Sequence, residues 1–246
     1  MKIIVCTRPV EHNLSVRPDR SAVEAALRLK ELAGGSVTVF CLGGISAMNQ
    51  IREAVAMGCD SGRLISVPDL ACLDAYACGA LLAAALKEET FDAVITGCYA
   101  ADADAIQTGL LIAGHLGLPQ VSYAEDIRPF DGNETNKFLL VRRQFEDRSH
   151  VLKVKMPCLI SALPLPNKPI YMTAEGITKA YAEDIPSIEA DSLAKELGAG
   201  TAAELSVIHL RDSYRKKPRE RGTLLTVPTA EAVSAIMETL NRSHLL

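Results

Sequence analysis

Apolar runs and amphipathic stretches alternate along the chain up to Leu116. The apolar runs are short and continuous, as in strands buried on both faces: Lys2 to Thr7, Val37 to Leu42, Arg63 to Val67 and Ala93 to Thr96. Helical periodicity predicts helices between them, at Ala22 to Ala33, Met48 to Met57, Asp74 to Lys87 and Leu110 to Leu116. Ser21 and Glu24 form a capping-box pattern that predicts the start of the first helix. This alternation predicts βαβ units, right-handed crossovers and a parallel sheet.

The second half changes character. Asp131-Gly132-Asn133 between two apolar runs predicts a β-hairpin, and further strands are predicted at Gln120 to Tyr123, His150 to Val154, Cys158 to Leu163 and Leu205 to Leu210. Lys168 to Glu183 is polar, with one possible helical turn, and helices are predicted at Ala190 to Leu197 and Ala230 to Leu240. We therefore expect an α/β domain over residues 1–190, with an added β-hairpin region. An extended C-terminal arm over residues 191–246 packs either on another subunit or back on its own domain.

The stretch from Gly97 to Gly109 joins a predicted strand to a predicted helix and carries the candidate ligand chemistry. A strand that breaks at glycine and enters a helix through small residues builds a ligand crevice in parallel sheets. Asp102 and Asp104 only accept hydrogen bonds, so they suit ribose hydroxyls or the helix N-cap. Residues 107–109 offer an amide, a hydroxyl and an unobstructed N–H, which suit a phosphate. The residues alone leave a second interpretation open, in which the aspartates cap the helix and Thr108 only packs.

Composition narrows the function classes. A net charge of −4 argues against a nucleic-acid partner. No apolar run reaches the ~20 residues that span a bilayer, and the first residues are typical of a strand rather than a signal peptide, so we expect a cytoplasmic protein that is not membrane-embedded. Seven scattered cysteines without a C-x-x-C motif predict reduced, mostly buried thiols. The five histidines show no ligand spacing, so no metal is expected.

The loop Gly97-x-x-Ala100-x-Asp102-x-Asp104-x-x-Gln107-Thr108-Gly109 resembles the nucleotide-binding loop of the electron transfer flavoprotein β subunit. The resemblance extends over nearly the whole chain. It includes the opening strand Met1 to Val5, the helical segment Ala22 to Lys30, the turn Ala56-Met57-Gly58-Cys59-Asp60, the strand Met156 to Ile160, and the tail from Leu224 to Val227 with the final helix.

The resemblance implies a Rossmann-like α/β fold of the adenine-nucleotide type, working as a heterodimer with an electron transfer flavoprotein α subunit. It implies FAD mainly in the α subunit, against the β surface, and AMP or a second FAD in the β subunit. Thr108 and Gly109 are implied to hold phosphate. The residues implied to line the nucleotide are Cys6, Asp19, Leu42, Ala100, Ala101, Asp102, Ala103, Asp104, Ala105, Ile106, Gln107, Thr108, Gly109, Leu110 and Leu111.

Some positions depart from the family's pattern. The loop between Thr7 and Ala22 is shorter than usual, Val16-Arg17 stands for an asparagine–proline pair, and Ala103 replaces the middle aspartate of the acidic run. Many members insert a leucine into a partner dehydrogenase, and the aligned residue here is Ala174. An anchor of that kind is a typical hot spot. The open alternatives are therefore a dedicated dehydrogenase, docking through Ile177 or Tyr181, or a plain surface loop, and the candidate docking residues are Thr173, Ala174, Ile177, Lys179 and Tyr181.

The function implied is electron transfer without covalent chemistry by this chain. With its α subunit it shuttles electrons between a flavin dehydrogenase, such as an acyl-CoA dehydrogenase, and a redox acceptor. Arg8 or His12 is the hypothesised contact with the flavin, because both follow the first strand. The alternative is a stand-alone adenine-nucleotide-binding or sensor protein with no redox partner. A nucleotide-hydrolysing or ligating enzyme lacks support, because the chain has neither a Gly-x-x-x-x-Gly-Lys-Ser/Thr loop nor a Ser-Gly-Gly-x-Asp pyrophosphate loop.

Overall fold

The computed structural model describes residues 1–7, 18–98, 103–131, 137–164 and 169–209, then residues 211, 212, 214, 217, 222 and 224–244. Within these ranges the strands are β1 (Lys2–Thr7), β2 (Ser36–Gly43), β3 (Ser61–Ser66), β4 (Ala93–Gly97), β5 (Gln120–Pro129), β6 (Phe138–Phe145), β7 (Arg148–Lys155), β8 (Cys158–Ala162) and β9 (Ser187–Glu189). The α-helices are α1 (Pro18–Ala33), α2 (Ala47–Met57), α3 (Ala75–Leu86), α4 (Ala103–Leu116), α5 (Ala174–Ala182), α6 (Ala190–Glu196) and α7 (Thr229–Arg242). The predicted alternation of strands and helices is confirmed.

The described strands form one sheet in the order β7-β6-β5-β8-β4-β1-β2-β3-β9. All neighbours from β5 to β9 in that order are parallel. From β1 the chain moves to β2 and β3 on one side, and from β4 it moves to β5 on the other. The strand order therefore reverses between β1 and β4, which is where a doubly wound sheet opens a crevice. The expected α/β class with a parallel sheet is confirmed.

Successive side chains of a strand point to opposite faces of the sheet. An apolar cluster therefore lies on each of the two faces. Ile3 and Val5 face α1, while Ile4 and Cys6 face α3 and α4. Helix α3 is buried almost all round, because α4, α6 and the short 3-10 helix Ala202–Leu205 pack over it. Helix α5 packs against α2 through a smaller cluster that contains Ala180.

The hairpin region extends the sheet through antiparallel pairing of β5 with β6 and of β6 with β7. The predicted short strand at residues 120–123 is the start of one longer strand, β5, which carries a register shift between Val121 and Ala124. Tyr123, at that shift, has a positive φ of 62°. A bulge of this kind bends the strand and lets it leave the parallel part of the sheet.

Several sequence-based boundaries are corrected. Ser21 does not cap α1, because the helix begins at Pro18; the Ser21 hydroxyl instead donates to the Ala162 carbonyl at 3.3 Å. Glu24 binds Arg20 and the Ile170 amide rather than closing a capping box. The predicted strand from residue 205 is wrong, because Leu205 ends a 3-10 helix and residues 206–209 are not in a strand. The single turn predicted within residues 168–183 is a full helix, α5.

The chain divides into two compact units, residues 1–209 and 210–246. The predicted boundary after residue 190 falls too early, because α6 and the 3-10 helix that follows it pack on α3 within the first unit. In the second unit the described residues contain one helix, α7.

Candidate functional site

The candidate site lies where the carboxyl ends of β1 and β4 meet, at the point where the strand order reverses. Cys6, Thr96 and Ser161 occupy one row across β1, β4 and β8. The Thr96 hydroxyl lies 3.4 Å from the Ser161 hydroxyl, and both side chains are buried. Thr96 and Ser161 were not among the predicted site residues, although a hydroxyl residue near the carboxyl end of an apolar strand is a signal that the sequence shows. This edge of the sheet therefore carries buried hydroxyl groups near the ends of β4 and β8.

Helix α4 begins at Ala103, seven residues before the predicted start at Leu110. Residues 103–109 were expected in a loop, but they are helical. Gly109 is the one residue among them with a low helix propensity, and the other six are compatible with a helix. The amides of residues 103–105 lie in the first turn and have no acceptors inside the helix, whereas the Gly109 amide lies within the helical ladder. The donors suited to an anion are therefore the first-turn amides, and the proposed role of the Gly109 N–H as an unobstructed donor is corrected.

Gly109 has a packing role instead. A Cβ atom at this position would lie 2.5 Å from the Thr96 hydroxyl oxygen, so only glycine lets α4 approach β4 this closely. On the α3 side, a Cβ atom on Gly79 would lie 2.6 Å from the Leu111 Cβ. Thr108 is buried and Gln107 is exposed. These contacts hold the start of α4 against the edge of the sheet.

The other predicted nucleotide residues divide into two groups. Cys6 and Leu42 are buried on the sheet face that α4 covers, so they lie on the same side as the candidate site. Leu110 and Leu111 are partly buried on α4. Five residues lie outside the described part of the chain: Arg8, His12, Ala100, Ala101 and Asp102. Five more have a described backbone but no described side chain: Asp19, Ala103, Asp104, Ala105 and Ile106.

Cys98 directly follows β4, at the same edge of the sheet as the candidate site. Its amide donates to the Ala162 carbonyl at 3.1 Å, and its side chain is buried. Burial raises the pKa of the Cys98 thiol and outweighs the hydrogen bond from the Tyr123 backbone, which lowers it. The thiol is therefore neutral at physiological pH and acts as an uncharged wall.

The predicted docking residues lie on α5 and at its start. Thr173 caps the helix through a hydrogen bond from the Gly176 amide at 2.9 Å, and Lys179 pairs with Glu183 at 3.5 Å. Ala174 is exposed, while Ile177 and Tyr181 expose 42% and 69% of their surface, which makes them the large apolar side chains of this helix that face solvent.

A cavity of about 320 Å³ lies between α2 and α5, with Asn49, Arg52 and Ala56 on one side and Ile177 and Tyr181 on the other. The Arg52 guanidinium stacks 4.8 Å from the centre of the Tyr181 ring and donates to the Ala180 carbonyl at 2.6 Å. Arg52 therefore holds the Tyr181 ring close to α2, and the ring lines one side of the cavity.

The second unit presents apolar side chains along one side of α7. Val233, Ile236 and Met237 expose 54%, 49% and 45% of their surface and recur at helical spacing. Leu224 and Tyr214, which precede the helix, are exposed by 83% and 90%. Such a surface is typical of a segment that packs on another protein.

The described residues contain no group of three or more His, Cys, Asp or Glu side chains arranged to hold a metal ion. None of their helices has the length and apolar character needed to cross a membrane.

The reversal of strand order and the close approach of α4 define a doubly wound α/β protein of the Rossmann-like type. Residues 10–193 match the family model described as the electron transfer flavoprotein domain. The chain therefore belongs to the electron transfer flavoprotein family, as the sequence resemblance predicted, and its relatives place it with the β subunits.

Three relatives illustrate this placement. The electron transfer flavoprotein subunit beta of Clostridium acetobutylicum is 31% identical, with 99% of each chain covered. The caffeyl-CoA reductase-Etf complex subunit CarD of Acetobacterium woodii is 31% identical over the whole of both chains. The acryloyl-CoA reductase electron transfer subunit gamma of Anaerotignum propionicum is 30% identical, covering 93% of this chain and 86% of the relative. These relatives are electron-transfer subunits, some of them within reductase complexes.

Proposed function

We propose that this chain is the β subunit of an electron transfer flavoprotein heterodimer and binds an adenine nucleotide, AMP or a second FAD, at the carboxyl ends of β1 and β4. The observation that carries the proposal is the position of α4, whose first-turn amides open at the point where the strand order reverses. Amides in a first helical turn favour a phosphate, because they lack acceptors within the helix and lie at the positive end of its dipole.

The donor set of this chain fits a nucleotide. In the proposed arrangement the first-turn amides of α4 hold the phosphate, and Thr108 and Gly109 support that turn from within the helix. Asp102 and Asp104 can accept hydrogen bonds from ribose hydroxyls. The buried Cys6 and Leu42 form an apolar wall on the same face.

The flavin of the heterodimer would supply the electron-carrying chemistry. This chain would bind the nucleotide, shape the surface against which the flavin lies and dock the electron partner. Arg8 or His12, each of which follows β1 in the sequence, is the proposed contact with the flavin. An Arg8→Ala heterodimer should therefore show an altered flavin spectrum or reduction potential, and an unchanged one would contradict the role of Arg8.

We propose that the electron partner is a flavin-dependent dehydrogenase or reductase of CoA thioesters. Two relatives of nearly full coverage are named as parts of an acryloyl-CoA reductase and of a caffeyl-CoA reductase complex. The proposed docking surface is the exposed side of α5, with Ile177 and Tyr181 beside the cavity against α2. Ala174 offers no large apolar anchor, so the contact would centre on these two side chains and on Lys179.

The experiment that tests the proposed function is a cofactor count. The chain is co-purified with its α subunit, and FAD and AMP are quantified per heterodimer after denaturation. One FAD with one AMP supports a simple carrier, and two FAD without AMP support a bifurcating-type subunit. An Asp104→Ala variant should lose the nucleotide of this chain, because it removes the acceptor for the ribose hydroxyls, whereas the matched Asp212→Ala variant, in the second unit, should keep it. A chain that is stable alone, binds AMP and does not associate with the α subunit would contradict the proposal and favour a stand-alone sensor.

A further inference from the structure

Residues 206–208 cross the start of α3 just before the first unit ends. Asp74 is the N-cap of α3, and 9% of the residue's surface is exposed. The Ser206 hydroxyl accepts the Asp74 amide at 3.2 Å and donates to the Cys72 carbonyl at 2.9 Å. The segment is therefore tied to the residues on both sides of this cap.

The two carboxylate oxygens of Asp74 have separate partners. Oδ1 accepts the Ala77 amide at 2.8 Å, which is the ordinary N-cap bond. Oδ2 accepts the amides of Val207 and Ile208, each at 2.8 Å. A helix cap needs only the first oxygen, and a serine or asparagine would supply it. The second oxygen serves residues 207 and 208.

Apolar burial does not explain this attachment. Val207 and Ile208 are exposed by 69% and 74%, so the backbone of the segment is fixed while its side chains point into solvent. Beyond them the chain enters the second unit, whose described residues include further exposed apolar side chains at Leu224, Val233 and Ile236. Hydrogen bonds to a carboxylate are stronger than neutral ones, so they suit a small, exposed attachment point.

We propose that Asp74 is a positioning residue for subunit assembly: its Oδ2 holds Val207 and Ile208 in place, and thereby fixes where the C-terminal segment leaves the first unit before it meets the α subunit. The proposal rests on the proposed function for the identity of that partner. A segment that is already ordered loses less conformational entropy on binding, so the attachment slows dissociation of the pair.

The first test uses the unaltered chain. Hydrogen exchange of the Val207 and Ile208 amides is measured before and after the α subunit is added. The proposal expects both amides to be protected already in the free chain. Protection that arises only on addition of the α subunit would overturn it.

The second test separates the two oxygens. Asp74→Asn keeps an acceptor for Ala77 but places an NH₂ group, which cannot accept, against the two amides of residues 207 and 208. Asp74→Ser keeps the cap and has no second oxygen, and Asp69→Asn is the matched control, because Asp69 caps the neighbouring 3-10 helix Leu70–Cys72. We expect exchange at Val207 and Ile208 to rise, and dissociation of the heterodimer to accelerate about tenfold, in both Asp74 variants and not in the control.

Three results would contradict the proposal in distinguishable ways. Unchanged exchange at residues 207 and 208 would show that Oδ2 does not hold them. Faster exchange with unchanged dissociation would show that the attachment does not serve assembly, while the cofactor count of the heterodimer, and with it the proposed function, would stand. If the unaltered chain formed no complex with the α subunit, the proposed function would fail first and the role of Asp74 in assembly with it.

Discussion

Single residues set the spacing between α4 and the sheet, and Gly109 is the one that does so at the candidate site. Its missing side chain lets the helix pack directly on Thr96. In the proposed site this close packing brings the first turn of α4 toward the strand ends. A helix held farther away would leave these amides displaced from the crevice. The electrostatic contribution of a helix terminus falls off within its first turn, so this displacement matters for an anion.

We expect Gly109→Ala to lower the free energy of unfolding by about 1–3 kcal/mol, because the new methyl group overlaps Thr96. The variant should also bind AMP or FAD at least about tenfold more weakly. Gly114→Ala is the matched control on the same helix, because a Cβ atom there meets nothing within 4 Å. It should be neutral or stabilising by about 0.5–1 kcal/mol. Urea unfolding and nucleotide titration of the heterodimer check both variants. Equal stability and equal nucleotide affinity of the two variants would contradict the packing role of Gly109.

Asp60 joins α1, β2 and the turn after α2. Both of its carboxylate oxygens accept the Lys30 ammonium at 2.8 Å, and Oδ2 also accepts the Val37 amide at 2.7 Å. Partial burial by itself raises the pKa of Asp60, but these hydrogen bonds and the Lys30 charge outweigh it and lower the pKa below its usual value of 3.8. The ionised form therefore stabilises the fold.

Asp60→Asn should reduce the free energy of unfolding by about 1–2 kcal/mol at pH 7, a value limited by the partial exposure of the pair. Because the folded pKa is lowered, this contribution is complete above the unfolded pKa of about 3.9 and disappears as the pH falls through the folded value. Urea unfolding at pH 7 and in steps below pH 4 should show the two proteins converging. Asp126→Asn, which removes an exposed pair with Arg128, should change stability by less than about 0.5 kcal/mol. A pH-independent difference between Asp60→Asn and the unaltered chain would contradict the assignment.

At the level of residues, the sequence located the candidate loop but not its geometry. Small residues between β4 and an apolar helix indicated the crevice, and the family resemblance indicated the nucleotide. The helical state of residues 103–109 could not be inferred, because Ala, Asp and Thr occur readily both in loops and in first helical turns. The contact of Gly109 with Thr96 joins two elements, and no local pattern encodes such a distance.

Secondary-structure elements were predictable where burial left a clear pattern of apolar residues. The strands β1, β2 and β4 are short continuous apolar runs, and α3 is a longer apolar run rich in alanine. Strand β9 was missed because it has only three residues and depends on β3 for its pairing. Leu205 lies in a segment that alternates like a strand, but tertiary contacts of Asp74 with residues 207 and 208 take the amides that a strand partner would need.

Helix α5 depends on one close approach to α2. A Cβ atom on Gly176 would overlap the Ala56 carbonyl oxygen, the same oxygen that accepts the Thr173 amide at 3.3 Å. Only glycine therefore lets the start of α5 lie against the end of α2. This contact sets the position of Ile177 and Tyr181 relative to Arg52.

We expect Gly176→Ala to shift α5 outward, to lower the unfolding free energy by about 1–3 kcal/mol and to weaken docking of the electron partner. Thr178→Ala is the matched control on the same helix, because the Thr178 hydroxyl donates to the Ala174 carbonyl within α5. The readout is the rate of electron transfer from the partner dehydrogenase to the heterodimer as a function of heterodimer concentration. A higher KM with an unchanged kcat for Gly176→Ala alone supports docking through α5, and equal kinetics for both variants would count against it.

On the scale of the whole molecule, the two units differ in how their apolar residues are used. The first unit buries its apolar side chains in layers on both faces of the sheet. The second unit leaves its apolar side chains exposed on α7 and in the segment before it. A helix of this amphipathic kind gains most of its stability by packing, and an isolated helix of its length is marginal in water. This contrast supports the proposal that the C-terminal segment is completed by the α subunit.

Ile236→Asp tests this proposal, because it places a charge on the apolar side of α7. If that side is buried against the α subunit, the heterodimer should dissociate about a hundredfold more readily, since an unpaired charge would be taken out of water. Ser234→Asp is the matched control, because it places the same charge on the same helix at a polar residue whose hydroxyl donates to the Ala230 carbonyl. Both variants should unfold like the unaltered chain when no partner is present, because neither position contributes to the core of the first unit. Analytical ultracentrifugation with the α subunit distinguishes the outcomes. Equal affinities for the two variants would mean that α7 does not contact the partner through this side.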